Sequence, residues 1–159
     1  MTASAPAARP HERTVALTRF FAAPRARVFE AWTRAEQLVH WFGPKNFTAH
    51  SCEADARPGG VFRLCMRSPD GRDYWVRGSY RELVAPERLV IDCVADDEHG
   101  AAMLEEVIRV TLTEQAGGTQ LELKADAAGP GARAKSALEG MEQGWAQTID
   151  RLSFCVTKS

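Results

Sequence analysis

The sequence predicts an α+β domain in which a curved, seven-stranded antiparallel sheet grips one long C-terminal helix. Two observations carry this. Between residues 47 and 125, short runs rich in β-branched and aromatic residues are punctuated by Gly, Pro and Asp-Gly turn signals, the pattern of successive antiparallel strands. After residue 131, Leu138, Met141, Trp145, Ile149, Leu152 and Val156 recur at three- and four-residue spacing, one apolar stripe of a helix. About 25 helical residues at 1.5 Å each span roughly 37 Å. The radius of gyration expected for this chain length is about 15 Å. Such a helix must cross the whole domain, and the sheet is the only surface large enough to cover its stripe.

Taken in order, residues 1–12 are rich in Ala and Pro and read as a disordered tail preceding a single domain over 13–159. Residues 14–21 read as a strand with Val15, Leu17 and Arg19 on one face. Pro24 marks a helix start, because the N–H it lacks is one the first turn leaves unpaired. Val28, Phe29 and Trp32 follow at helical spacing. Thr33 and Glu36 form a capping-box pattern that restarts a second short helix to about Trp41, ended by Gly43 and Pro44. Strands are predicted over 47–54, 61–67, 74–83, 89–95, 107–114 and 119–125, with a polar connection over 96–104. Neighbouring strands joined by such short connections pair antiparallel by default.

The bulk composition excludes several classes of function. A chain of 159 residues with 45% hydrophobic residues suits one core and needs no metal or disulfide staple. A net charge of −1 argues against a general nucleic-acid or membrane-surface binder. Charge is uneven, with 14 Lys/Arg against 10 Asp/Glu in residues 1–95 and 6 against 11 in residues 96–159. Cys52, Cys65, Cys93 and Cys155 lie in apolar runs without C-x-x-C pairing or a His at zinc-finger spacing, so they read as small hydrophobes. No segment has the apolar length of a signal peptide or a membrane span, which points to the cytoplasm. No nucleophile elbow, phosphate loop, dinucleotide fingerprint or metal-ligand spacing is present, and DGRDY lacks the remaining ligands of a calcium loop. No cofactor, no metal and no catalytic set is expected.

Candidate site residues follow from alternation. Phe62, Leu64 and Met66 share a strand face, as do Tyr74, Val76, Gly78 and Tyr80 on the next strand, and Leu121 and Leu123 mark the same face farther along. A buried Tyr needs a partner for its hydroxyl, which makes Tyr74 and Tyr80 candidates for orienting a ligand. Trp41, ending the second short helix, and Trp145, on the helix stripe, are candidates for the lining. Gly140 and Gly144 each cost about 1 kcal/mol relative to Ala in a helix, so a strand or a ligand is expected to come close there. His40 has a free pKa suited to general-base chemistry but no companion in the sequence, and His50 and His99 have no evident partner. Arg63, Arg77 and Arg109, and likewise Asp92, Glu106 and Glu122, sit mid-strand and are expected on the outer face.

Six segments stand in the order of a known family: AAPRARVFEAW (22–32), EQLVHWFGP (36–44), CEADARPGGVFR (52–63), DGRDYWVRGSYRELVAPERLV (70–90), LTEQAGGTQLEL (112–123) and GWAQTIDRL (144–152). On these the chain resembles the activator-of-heat-shock-protein-90-ATPase-like branch of the START-related, birch-pollen-allergen-like superfamily. The resemblance implies a helix-grip fold with two small helices and a cavity between sheet and long helix that takes lipids, aromatic polyketides or other apolar molecules. On that reading Trp41, Phe62, Leu64, Tyr74, Val76, Tyr80, Met141, Trp145 and Ile149 line the cavity, and the partner is a small apolar molecule. A chaperone is the alternative partner. A cyclase, dehydratase or hydrolase acting in the pocket is the alternative activity, and it requires a buried acid or base with a shifted pKa. Both monomer and homodimer stay open.

Overall fold

Alternation of apolar and polar residues, with period two, is what makes seven segments of this chain share one sheet. The computed structural model describes residues 10–157. In chain order its elements are β1 (His11–Phe21), α1 (Arg25–Thr33), α2 (Ala35–Trp41), β2 (Thr48–Ala54), β3 (Val61–Arg67), β4 (Asp73–Val84), β5 (Arg88–Asp96), β6 (Ala102–Gln115), β7 (Gly118–Gly129), α3 (Gly131–Glu139) and α4 (Met141–Thr157). The sheet order is β1-β7-β6-β5-β4-β3-β2, antiparallel throughout. Strands β2 to β7 pair with their sequence neighbours, as short connections dictate. Strand β1 departs from that rule: α1 and α2 carry the chain across the sheet, and β1 pairs with β7 with Val15 opposite Ala125 and Leu17 opposite Leu123.

β1 begins at His11, so the last two residues assigned to the tail belong to a strand; residues 1–9 lie outside the described residues. β6 likewise begins at Ala102, inside the stretch expected to be a loop. The capping box does not form. Thr33 closes α1, its hydroxyl bonding back to the carbonyls of Phe29 and Glu30 at 3.1 and 3.3 Å, and Arg34 stands at the start of α2 without a side-chain cap. A Thr at a helix end has that local alternative to capping, and here it takes it.

The long helix is two helices. Gly140 breaks it, and α4 resumes at Met141, with the Gly144 N–H bonded to the Gly140 carbonyl at 2.9 Å. At the break the Gly140 N–H donates to Leu138 O, and the Arg13 guanidinium from the sheet donates to Leu138 O at 2.9 Å and Glu139 O at 3.1 Å. The three-residue step from Leu138 to Met141 keeps both helices in phase, so one stripe survives the break. Leu138, Met141, Trp145, Ile149, Leu152 and Val156 are all buried.

The core lies between this stripe, α1, α2 and the inner sheet face. Trp32 and Trp41 meet edge to face with centroids 4.7 Å apart, and the Trp41 indole N–H donates to Ala31 O at 3.0 Å. Aromatic contacts continue from Trp41 to Phe42 at 5.6 Å and from Phe42 to Trp145 at 6.0 Å. At Gly78 the backbone of β5 leaves no room for a side chain on β4; a Cβ there would lie 1.8 Å from Asp92 O. Among the described residues no helix is long and apolar enough to cross a membrane.

Candidate functional site

Along the inner face the sheet meets the helices closely at one end and leaves a gap at the other. The register shows the change. Phe62 opposite Gly78 belongs to the packed end, Met66 opposite Tyr74 belongs to the open end, and the boundary falls at Leu64 opposite Val76, where Val76 reaches the cleft. Phe62 and Leu64 are fully buried, whereas Met66 and Tyr74 are half-buried and line a cleft of about 440 Å³, partly open to solvent. Its walls are the loop after α2 (Phe42, Pro44, Phe47), the ends of β3 to β6 (Met66, Tyr74, Val76, Met103, Glu106) and α3–α4 (Ala137, Met141, Gly144, Trp145, Thr148). Three larger hollows lie elsewhere: two of about 720 and 820 Å³, lined mainly by charged and polar residues such as Arg77 and Asp126, or Arg27 and Lys45, and one of about 590 Å³ between the start of α1 and the β6–β7 turn. Volume does not select the site. A lining rich in aromatic and Met side chains with few polar groups does, and it selects the 440 Å³ cleft.

Of the nine residues expected to line a cavity, Tyr74, Val76, Met141 and Trp145 lie at this cleft. Trp41, Phe62, Leu64, Tyr80 and Ile149 are placed instead in the packed core, each fully buried. Trp41 spends its indole N–H on Ala31, and Tyr80 donates its hydroxyl to Trp32 O at 2.8 Å. Burial pushes the Tyr80 hydroxyl pKa well up. Neither polar group is left to meet a ligand. Gly140 and Gly144 do line the cleft, but no strand approaches them: a Cβ on Gly144 would have nothing within 4 Å, and one on Gly140 only the Ala137 carbonyl at 3.9 Å.

The residue that sequence reasoning misplaced is Glu106. On β6 it shares the inner face with the buried Leu104 and Ile108, two residues to either side. Its carboxyl enters the cleft, where Oε2 accepts the Trp145 indole N–H at 3.3 Å and Oε1 lies 4.0 Å from Cys93 Sγ. Burial pushes its pKa up to about 7, opposed by the Trp145 hydrogen bond. Asp96, the cleft's other carboxylate, is neutralised by a two-pronged pair with Arg77, at 2.9 and 3.0 Å. Arg77 itself stays outward, as do Arg63, stacked 4.0 Å over the Trp75 ring, and Arg109, paired with Asp126 at 2.8 Å. A carboxyl titrating near neutrality in an apolar cleft can donate a hydrogen bond when protonated, hold a cation when ionised, or move a proton.

One further cluster lies off the cleft. A bulge in β2 between Ala49 and Ser51 turns His50 toward Asp73, and with Cys65 their ligand atoms fall within 4.8 Å of one another. The three residues come from three strands, so no linear spacing reveals them. Asp73 accepts His50 Nε2 at 3.3 Å together with Arg67 Nε at 2.9 Å and Nη2 at 3.3 Å. A metal cation there would face the Arg67 guanidinium, and the cluster is more simply an ion-pair network that holds Asp73 ionised. His99 also has a neighbour, Glu98 at 3.7 Å.

Solved bacterial structures share this architecture. Protein CV1439 from Chromobacterium violaceum is 26% identical, with a TM-score of 0.80 over 92% of this chain and 98% of that one. Protein NE0264 from Nitrosomonas europaea is 26% identical, with a TM-score of 0.73 over 91% and 94%. Protein Ms6760 from Mycobacterium smegmatis is 25% identical, with a TM-score of 0.73 over 92% and 91%. No curated protein matches the chain. The family model for the activator of Hsp90 ATPase homolog 1-like proteins matches residues 22–157, from the start of α1 through α4, and the chain belongs to that family.

Proposed function

We propose that the chain binds a small, largely apolar molecule, without covalent change, in the cleft between the open end of the sheet and α3–α4. The observation that supports this most is the lining: five aromatic residues (Phe42, Phe47, Tyr74, Trp75, Trp145) and three thioethers (Met66, Met103, Met141) around a single carboxyl with no ion pair among the described residues. Met side chains adapt to irregular partners, and aromatic rings contribute large apolar area. About 440 Å³ is within the range of small-molecule sites. Native mass spectrometry and thermal shifts against a panel of lipids, flavonoids, polyketides and aromatic amines test the reading. A bound mass with a raised Tm is the expected result; no mass, no shift and a Gly144→Leu variant indistinguishable from wild type would overturn it.

A second reading, proton transfer on the bound molecule, is supported by Glu106, whose carboxyl meets the requirement for a buried acid or base of shifted pKa. Incubating each bound compound with the protein and analysing it afterwards separates the two. Unchanged compound supports binding alone, and a product lost in Glu106→Gln supports catalysis. A protein partner of the chaperone class rests on the family description, and a chaperone ATPase assay with added protein tests it.

A further inference from the structure

The charges facing the cleft are all of one sign. Its lining includes Glu106 and Asp96 and no Lys, Arg or His. Asp96 has its cation in Arg77. Among the described residues, Glu106 has no ion-pair partner; its contacts are the Trp145 N–H and, more distantly, the Cys93 thiol. A carboxylate taken out of water without a cation is unfavourable, and a cation supplied by a ligand would remove that penalty. Phe42, Tyr74 and Trp145 add aromatic rings, whose π faces attract cations and not anions. An acidic apolar molecule would meet the Glu106 carboxylate with no compensating cation, and of the lining hydroxyls Thr148 already donates to Gly144 O at 2.8 Å.

We infer that the cleft selects hydrophobic amines: the protonated nitrogen of the ligand pairs with the Glu106 carboxylate, and its apolar body lies among Phe42, Tyr74 and Met141. The inference rests on the cleft being a binding site and adds the charge class of its ligand. Trp145 is a positioning residue in this arrangement, because its N–H holds Oε2 of the carboxyl at the cleft wall. The other titratable groups near the carboxyl are Cys93 on β5, whose thiol burial keeps protonated, Asp96 on β5, held by Arg77, and Tyr74 on β4. None supplies a competing positive charge.

Three probes of one shape and different charge test this: naphthylmethylamine, naphthylmethanol and naphthoate, titrated calorimetrically into the wild-type protein at pH 8. The expected order is amine, then alcohol, then carboxylate. The amine should bind on the order of tenfold to a hundredfold more tightly than the alcohol, as for a charge-assisted hydrogen bond. Glu106→Gln should erase that advantage, so that amine and alcohol bind the variant within about threefold of each other, a difference small on the tenfold-per-1.4 kcal/mol scale. Equal binding of amine and alcohol, or tightest binding of the carboxylate, overturns the inference and leaves the cleft as a site. If none of the three binds, the cleft reading falls and the inference with it. The order of the wild-type affinities needs no variant, so a poorly folding Glu106→Gln does not remove the test.

Discussion

Trp145 on α4 and Glu106 on β6 are joined across the cleft by an indole N–H to carboxylate hydrogen bond of 3.3 Å. That bond stabilises the charged form of Glu106, yet burial outweighs it and raises the pKa from 4.5 to about 7. Folded protein therefore holds the Glu106 proton more tightly than unfolded chain does. The resulting stabilisation is fully present below about pH 4.5, declines as pH rises, and is lost above about pH 7. At 1.36 kcal/mol per pKa unit, the difference is at most on the order of 3 kcal/mol. Glu106→Gln removes the titration, so its Tm relative to wild type should rise between pH 4.5 and pH 8 by roughly 5 °C or more. Paired thermal melts across that range check it, and a constant difference would mean that the carboxyl does not titrate there.

Gly144 faces the cleft with open space where a Cβ would be. Gly144→Ala should raise helix propensity by about 1 kcal/mol, seen as a Tm increase of roughly 2–4 °C, with little change in ligand affinity. Gly144→Leu should keep the fold and abolish binding by filling the cleft. Circular dichroism and the ligand titrations distinguish these outcomes. An unfolded Gly144→Leu would show that the space beside α4 is smaller than the geometry gives.

How much of this was legible in the sequence depends on which rule each residue obeyed. Period two placed Phe62, Leu64 and Met66 on one face correctly, because a strand has only two faces. It could not say that Phe62 and Leu64 end in solid core and Met66 in a cleft. That is decided by how far the helices extend along the strand, a distance with no sequence period. The Leu138-to-Val156 stripe was legible for the same reason, and it concealed the break because the step across Gly140 keeps the phase. Glu106 was readable in principle, since its neighbours Leu104 and Ile108 fix its face. Charge argued for the opposite face, and the donor that lets it turn inward, Trp145, lies 39 residues away. Gly140 and Gly144 drew notice by their helix cost, and the structure gives the reason as space beside the cleft rather than a close strand.

Tyr80 illustrates a polar group that looks like a ligand contact and acts in the core. Its hydroxyl meets Trp32 O at 2.8 Å, with both residues fully buried. Tyr80→Phe leaves that carbonyl without its donor, and urea denaturation should show a loss of about 1–3 kcal/mol. Ligand affinity should stay within twofold or so of wild type, well inside the tenfold that 1.4 kcal/mol would give. A large affinity loss at unchanged stability would return Tyr80 to the lining.

The rim of the cleft depends on Arg151. From α4 its Nη1 donates to Gly43 O at 3.0 Å, Pro44 O at 3.3 Å and Phe47 O at 3.1 Å. The same loop includes Asn46 at φ 72°, a left-handed conformation that Asn adopts more readily than most non-glycine residues. Gln147 adds a second tie, its Oε1 accepting the Lys45 N–H at 3.1 Å. Phe42 and Phe47 flank this segment and form one wall of the cleft, so the guanidinium on the far side of the loop sets where that wall stands. Lysine carries the same charge but lacks the planar fork. Arg151→Lys should therefore speed amide exchange across residues 43–47 and shorten ligand residence, with a stability loss of about 1–3 kcal/mol. Exchange should stay unchanged in β6 and β7, which Arg151 does not touch. Unaltered protection of residues 43–47 in the variant would mean that the loop is ordered by Phe42 packing against Phe62 and Trp145, 5.6 and 6.0 Å between centroids, and not by the arginine.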